Sequence, residues 1–187
     1  MAKNSDWDES IIQIGHQYLH IKLPPNESKD FPPNASLQLV NLNDERLDTD
    51  AQSVTAIDKY WDFREGLFNL VQGTLNIKVR VRKVPSTFKG DITNYAELEK
   101  LLIERLSKSG SEIPSHFISE IINNRNWLSY HLKEGSGFTC YVFPLTESIY
   151  IQVQADFINN SKDANPKWFK KAQDILSEIA SSIVIIN

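Results

Sequence analysis

Three observations predict an α+β fold, a mainly antiparallel β-sheet covered by helices. Apolar and polar residues alternate with period two over several segments, of which 74–84 (TLNIKVRVRKV) is the cleanest. Helical spacing of apolar residues is confined to two stretches, near 94–110 and 165–183. Strand-like segments in the last third are joined by turns short enough for hairpins, with no βαβ series. The chain has 187 residues, 41% hydrophobic and 24% charged, which fits one domain over 1–187 with a flexible N-terminus over 1–10.

In chain order, Leu19, Ile21 and Leu23 alternate with Tyr18, His20 and Lys22, predicting one half-buried strand that ends at Pro24-Pro25. A loop with four prolines spans 24–35, followed by the short apolar run SLQLVNL. Residues 43–50 are acidic and without pattern. The segment SVTAIDKYWDFREGLFNL fits strand and helix alike, and its β-branched and aromatic content favours a strand through Phe63. In TLNIKVRVRKV, Leu75, Ile77, Val79 and Val81 form one face and Asn76, Lys78, Arg80 and Arg82 the other.

From Asn94 the chain reads as a helix, with Tyr95, Leu98, Leu102 and Leu106 as its stripe. Asn94 and Glu97 are placed as a capping box and Gly110 as the stop. Three strands follow, NWLSYHL, GFTCYVFPL and SIYIQVQADF, with turns at Gly135-Ser136-Gly137 and Thr146-Glu147-Ser148. In the last of them Ile149, Ile151, Val153, Ala155 and Phe157 oppose Tyr150, Gln152, Gln154 and Asp156. Asn165 and Pro166 then open a helix with the stripe Phe169, Ala172, Ile175 or Leu176, Ile179 and Ile183, and the tail IVIIN fits a final strand.

The strand ending in YLHIKLP, the helix, the NWLSYHL strand, the aromatic hairpin FTCYVFPLTESIYIQVQADF and the closing AQDILSEIASSIVI together resemble the PsbP-like fold. That resemblance implies an α/β/α sandwich and a superfamily that includes photosystem extrinsic subunits, Ran-binding relatives and bacterial immunity proteins to secreted toxins. It implies no catalytic constellation.

Net charge is −4, the wrong sign for gripping a phosphate backbone. The charge is uneven: 12 acidic and 6 basic residues over 1–73, 6 and 10 over 74–133, and 6 and 4 over 134–187. No apolar span of membrane length and no secretory leader pattern is present, so a cytoplasmic protein that engages neither membrane nor nucleic acid is expected. The single cysteine, Cys140, sits between Phe138 and Val142 on one strand face and reads as a packed thiol. His16 and His20, four apart on a strand, lie about 13 Å from each other, too far to share a metal. No cofactor motif or nucleophile elbow occurs.

Two charged features remain. The row Lys78, Arg80, Arg82 reads equally as a solvent or edge-strand face and as a binding surface. Asp44, Glu45, Asp48, Asp50, Asp58 and Asp62, with Tyr60 and Trp61, form an acidic stretch with aromatic anchors that suits a basic protein partner; Trp61 reads equally as core. The expected function is therefore a non-enzymatic protein-binding domain, a cytoplasmic immunity protein that occludes the active site of a cognate basic toxin. A secretion adaptor or chaperone for an effector is one alternative. Another is a small-molecule-binding domain using Tyr150, Gln152, Gln154 and Asp156, which would show as a deep pocket over that face.

Overall fold

The computed structural model describes residues 6–28, 36–49, 52–132, 137–159 and 166–187. Their strands are β1 (Asp8–Ile14), β2 (Gln17–Leu23), β3 (Leu39–Val40), β4 (Ser53–Glu65), β5 (Leu70–Lys83), β6 (Ile118–Ile122), β7 (Arg125–Leu132), β8 (Phe138–Pro144), β9 (Ile149–Asn159) and β10 (Val184–Ile186). The helices are α1 (Tyr95–Lys108) and α2 (Pro166–Ser182). No helix among the described residues is long and apolar enough to cross a membrane. The class is α+β with mostly antiparallel sheets, and sheet dominates.

There are two sheets where one was expected. Six strands run in the order β4-β5-β9-β8-β7-β6, all antiparallel, and four run β10-β2-β1-β3 with one short parallel pairing, β1 to β3. The second sheet exists because the predicted strand over 11–23 folds back on itself. Gly15 takes φ 61°, and the chain reverses through Gly15-His16 so that Ile14 pairs with Gln17. Strand β1 starts at Asp8, opposite Leu23, so the flexible terminus expected over 1–10 gives way to paired strand there. The C-terminal tail forms the predicted strand and adds to β2.

Other differences have equally local causes. Strand β6 arises from an Asn123-Asn124 turn in which both residues have positive φ (46° and 60°), the geometry of a two-residue hairpin that the period-two reading overlooked. The patternless acidic stretch contains a 3-10 turn at Glu45–Asp48, capped by the Asp44 carboxylate and pinned by buried Leu47. In α2 the core-facing aromatic is Trp168 rather than Phe169, because the stripe through Ala172, Leu176 and Ile179 continues at Trp168. The expected caps at Asn165 and the turn at Gly135-Ser136 lie outside the described residues.

Helix α1 follows the prediction closely. Asn94 Oδ1 accepts from the Ala96 amide (3.0 Å), and Leu98, Leu102 and Leu106 are buried together with Leu101. At its end Gly110 has φ 69°, with Ser111 N–H donating to Leu106 O (3.0 Å) and Gly110 N–H to Ser107 O (3.1 Å), a Schellman closure.

The six-stranded sheet separates two cores. Leu75, Ile77, Val79 and Val81 pack with β1, β2, β10 and α2 on one side. On the other, Leu128, Tyr130, Cys140, Val142 and Tyr150 pack under α1. Helix α2 approaches β5 closely at Gly73, where a Cβ would come within 2.4 Å of the Trp168 indole, itself seated against Phe63 (5.9 Å between centroids). Gly73→Ala is therefore expected to destabilise the fold by about 1–3 kcal/mol through overpacking, measured by urea denaturation.

Candidate ligand-binding cavity

The acidic residues expected to form one surface do not converge. Asp44 accepts from the Arg46 amide and guanidinium (2.9 and 2.7 Å), and these bonds hold its carboxyl down at about 2. Glu45 is exposed, and Asp48 pairs with Lys83 (2.5 Å). Asp58 accepts from buried Asn76 (2.7 Å), and Asp62 accepts from Ser28 (2.7 Å) and Thr74 (2.8 Å). Lys83 and Thr74 are nine residues apart on β5, so these carboxylates spread over about 30 Å. Tyr60 is half-buried beside Asp58; Asp50 lies outside the described residues.

Trp61 is a correction. It is only 5% exposed, belongs to the large core, and donates its indole N–H to Pro24 O (3.0 Å). The reason is the pleat: Trp61 pairs with Leu75 and shares its face, whereas Asp58, Tyr60 and Asp62 share the face of Lys78, Asn76 and Thr74. It supplies no exposed anchor.

The cationic row is a different surface from either reading given to it. Strand β5 is internal, flanked by β4 and β9, so its polar side chains face polar residues of the neighbouring strands. Lys78 reaches Asp156 (3.4 Å), and Arg80 Nη1 donates to Gln154 Oε1 (2.8 Å). Gln154 in turn donates to Asp156 (2.7 Å) and accepts from Gln152 (3.2 Å). Three members of the polar face of β9 named from the sequence, Gln152, Gln154 and Asp156, thus form one hydrogen-bonded chain along the strand, tied to β5.

Where this face runs under the C-terminal half of α1, a cavity of about 660 Å³ opens. Its floor is Arg82 of β5 with Tyr150, Gln152 and Gln154 of β9; Tyr130 and Phe138 close it on the β7-β8 side. The roof is α1, through Leu101, Leu102, Arg105 and Leu106, with exposed Glu104, Lys108, Ser109 and Ser111 at the rim. The volume falls in the range of a small-molecule site, and the lining is mixed, with Leu101, Leu102, Leu106 and Phe138 beside Arg82, Arg105, Gln152 and Gln154.

Two of those groups are underused. Tyr150 is fully buried, and its hydroxyl has no hydrogen-bond partner. Arg105 Nη2 donates to Gln52 Oε1 (2.7 Å) and to the Lys83 carbonyl (2.6 Å), while its buried Nε donates to nothing. Both acceptors are neutral. Burial, with Arg82 nearby, pulls the Arg105 pKa below its ordinary value, and its guanidinium lies over the Tyr150 ring at 5.7 Å.

Sequence reasoning missed Arg105 and Gln52. A signal existed for Arg105, which follows Leu101 by four and Leu102 by three and so flanks the apolar stripe of its helix. Gln52 offered none, since its φ of 46° and its approach to α1 depend on tertiary packing.

Among the described residues no cluster of metal-ligating side chains is present. Cys140 is fully buried, and burial pushes its thiol up to about 11 against opposing hydrogen bonds from Tyr130 and Gln152. His20 faces Glu9 (3.1 Å), His131 faces Thr139 (2.8 Å), and no three His, Cys, Asp or Glu side chains gather.

Because a raised pKa leaves Cys140 protonated throughout the neutral range, native protein at about pH 8 should resist iodoacetamide, and denatured protein should be alkylated rapidly. Truncating the core indole, Trp61→Ala, should lower stability by about 3–5 kcal/mol in chemical denaturation. No family model, no curated protein and no solved structure matches this chain.

Proposed function

We propose that this chain is a non-enzymatic binding domain whose ligand is a small molecule held between α1 and the polar face of β5 and β9. The observation that carries this reading is the fully buried Tyr150, its hydroxyl unpartnered, in the wall of a cavity of about 660 Å³. A buried polar group without a partner lowers stability by roughly 1–3 kcal/mol, so a site that retains one gains by meeting a ligand.

The reading as a cytoplasmic immunity protein for a basic toxin has less support. Among the described residues its exposed acids reduce to Glu45 and Asp48 of the 3-10 turn, and Trp61 offers no anchor. The PsbP-like comparison stays within this proposal as an order of elements; the sheet made by β1, β2, β3 and β10 is additional to a three-layer α/β/α sandwich.

Ligand-observed NMR with a fragment library tests the cavity. Fragments should compete for one site, and Gln154→Trp, which places an indole at the floor, should abolish their signals while the far-UV circular dichroism is unchanged. Hits that survive this substitution would put binding elsewhere.

A further inference from the structure

The class of ligand follows from the charge left uncompensated in that cavity, and this step rests on the reading just given. Among the described residues Arg105 has no carboxylate within ion-pairing distance, only the two neutral oxygens of Gln52 and Lys83. Its Nε and the Tyr150 hydroxyl are both unpartnered donors, each buried just behind the surface of the cavity that the two residues line. A desolvated guanidinium with neutral acceptors is electrostatically incomplete, and its complement is an anion that can take two hydrogen bonds. Lys108 at the rim adds to the attraction, and Glu104 is the single carboxylate among the lining residues.

The anion's valence is constrained as well. The lining residues Leu106, Lys108 and Ser109 belong to the C-terminal end of α1, whose dipole is negative there. That field opposes a phosphate dianion more than a monoanion. Phosphate sites also draw on helix N-termini or on nests of backbone N–H groups, whereas this anion is met by side-chain donors. The remaining wall, Leu101, Leu102, Leu106 and Phe138, is apolar and suits a hydrocarbon or aromatic body.

We infer that the cavity binds a small amphipathic carboxylate, its head between Arg105 and the Tyr150 hydroxyl and its apolar body against Leu101, Leu102 and Phe138.

Isothermal titration with octanoate, octanamide and octylamine, three ligands of similar shape and different charge, tests this. Octanoate should bind at least about tenfold more tightly than octanamide, and octylamine should not bind. Arg105→Met should bring the octanoate and octanamide affinities together, and Tyr150→Phe should weaken octanoate several-fold. Tyr150→Phe removes an unpartnered hydroxyl from a packed ring and leaves the fold intact, so it decides the matter if Arg105→Met does not fold. Octanamide binding as tightly as octanoate would overturn the carboxylate while leaving the cavity as a small-molecule site. A preference for octanoate unchanged in the variants would place the selecting charge elsewhere and overturn it too. If none of the three ligands binds, the carboxylate is overturned; fragment signals lost in Gln154→Trp would then still support the cavity, and their absence would remove both readings.

Discussion

Strand β5 sits second in a six-stranded sheet with a fully apolar face and a fully polar one, and most of the molecule answers that arrangement. Leu75, Ile77, Val79 and Val81 all have no exposed surface, and they require a second layer, which α2 and the sheet of β1, β2, β3 and β10 supply. On the polar face Asn76 and Thr74 are wholly buried, and each donates to a carboxylate of β4, Asp58 and Asp62 respectively. The neighbours are therefore polar in register: Asp58 and Asp62 across on β4, Gln152, Gln154 and Asp156 across on β9.

Toward the Lys83 end of β5 the partners change: Lys78 and Arg80 find Asp156 and Gln154, Lys83 finds Asp48, and the residues that pair with Arg82 and Val81 on β9 are Tyr150 and Ile151. Helix α1 crosses here, and it packs by Leu98, Leu101, Leu102 and Leu106 against the apolar residues of β7, β8 and β9. The leucines of α1 and the guanidinium of Arg82 meet along the same cavity. The cavity lies at the seam between an apolar contact and a polar one. Arg105, on the margin of the stripe, is drawn inward because its aliphatic stem packs while its head reaches Gln52 and the Lys83 carbonyl.

The sequence made legible whatever depends on a single segment. The alternation of β5 and β9, the Asn94 cap, the Gly110 stop and the α1 stripe are local devices, and each appears where its pattern puts it. Two local devices went unused: Gly15, whose positive φ reverses the chain, and the Asn123-Asn124 pair that creates β6. Trp61 illustrates what a single strand withholds. Period two assigns it to the face opposite Asp58 and Asp62, yet which face is core is decided by β5 and by Pro24, which takes its indole proton. Of the cavity, Tyr150, Gln152 and Gln154 were visible as a polar row, and Arg82 as the last member of a cationic one. Arg105 was not, because an arginine on a helix is exposed by default and only the roof it forms over β9 makes it half-buried.

That asymmetry bears on the stability of this fold. The molecule could satisfy Arg105 with a carboxylate, as it satisfies Lys171 with Glu65 and Lys83 with Asp48. It offers two neutral oxygens instead and leaves Tyr150 OH with none, a choice that lowers the stability of the empty protein. Filling the site with leucine or methionine would relieve this more simply, since replacing a buried charge by packed apolar side chains is often neutral or stabilising. Retaining two underused donors on opposite walls of one cavity makes sense when a ligand completes them. Any molecule that does so stabilises the folded state in proportion to its occupancy, so the incomplete electrostatics of the empty site and its affinity are two views of one free energy.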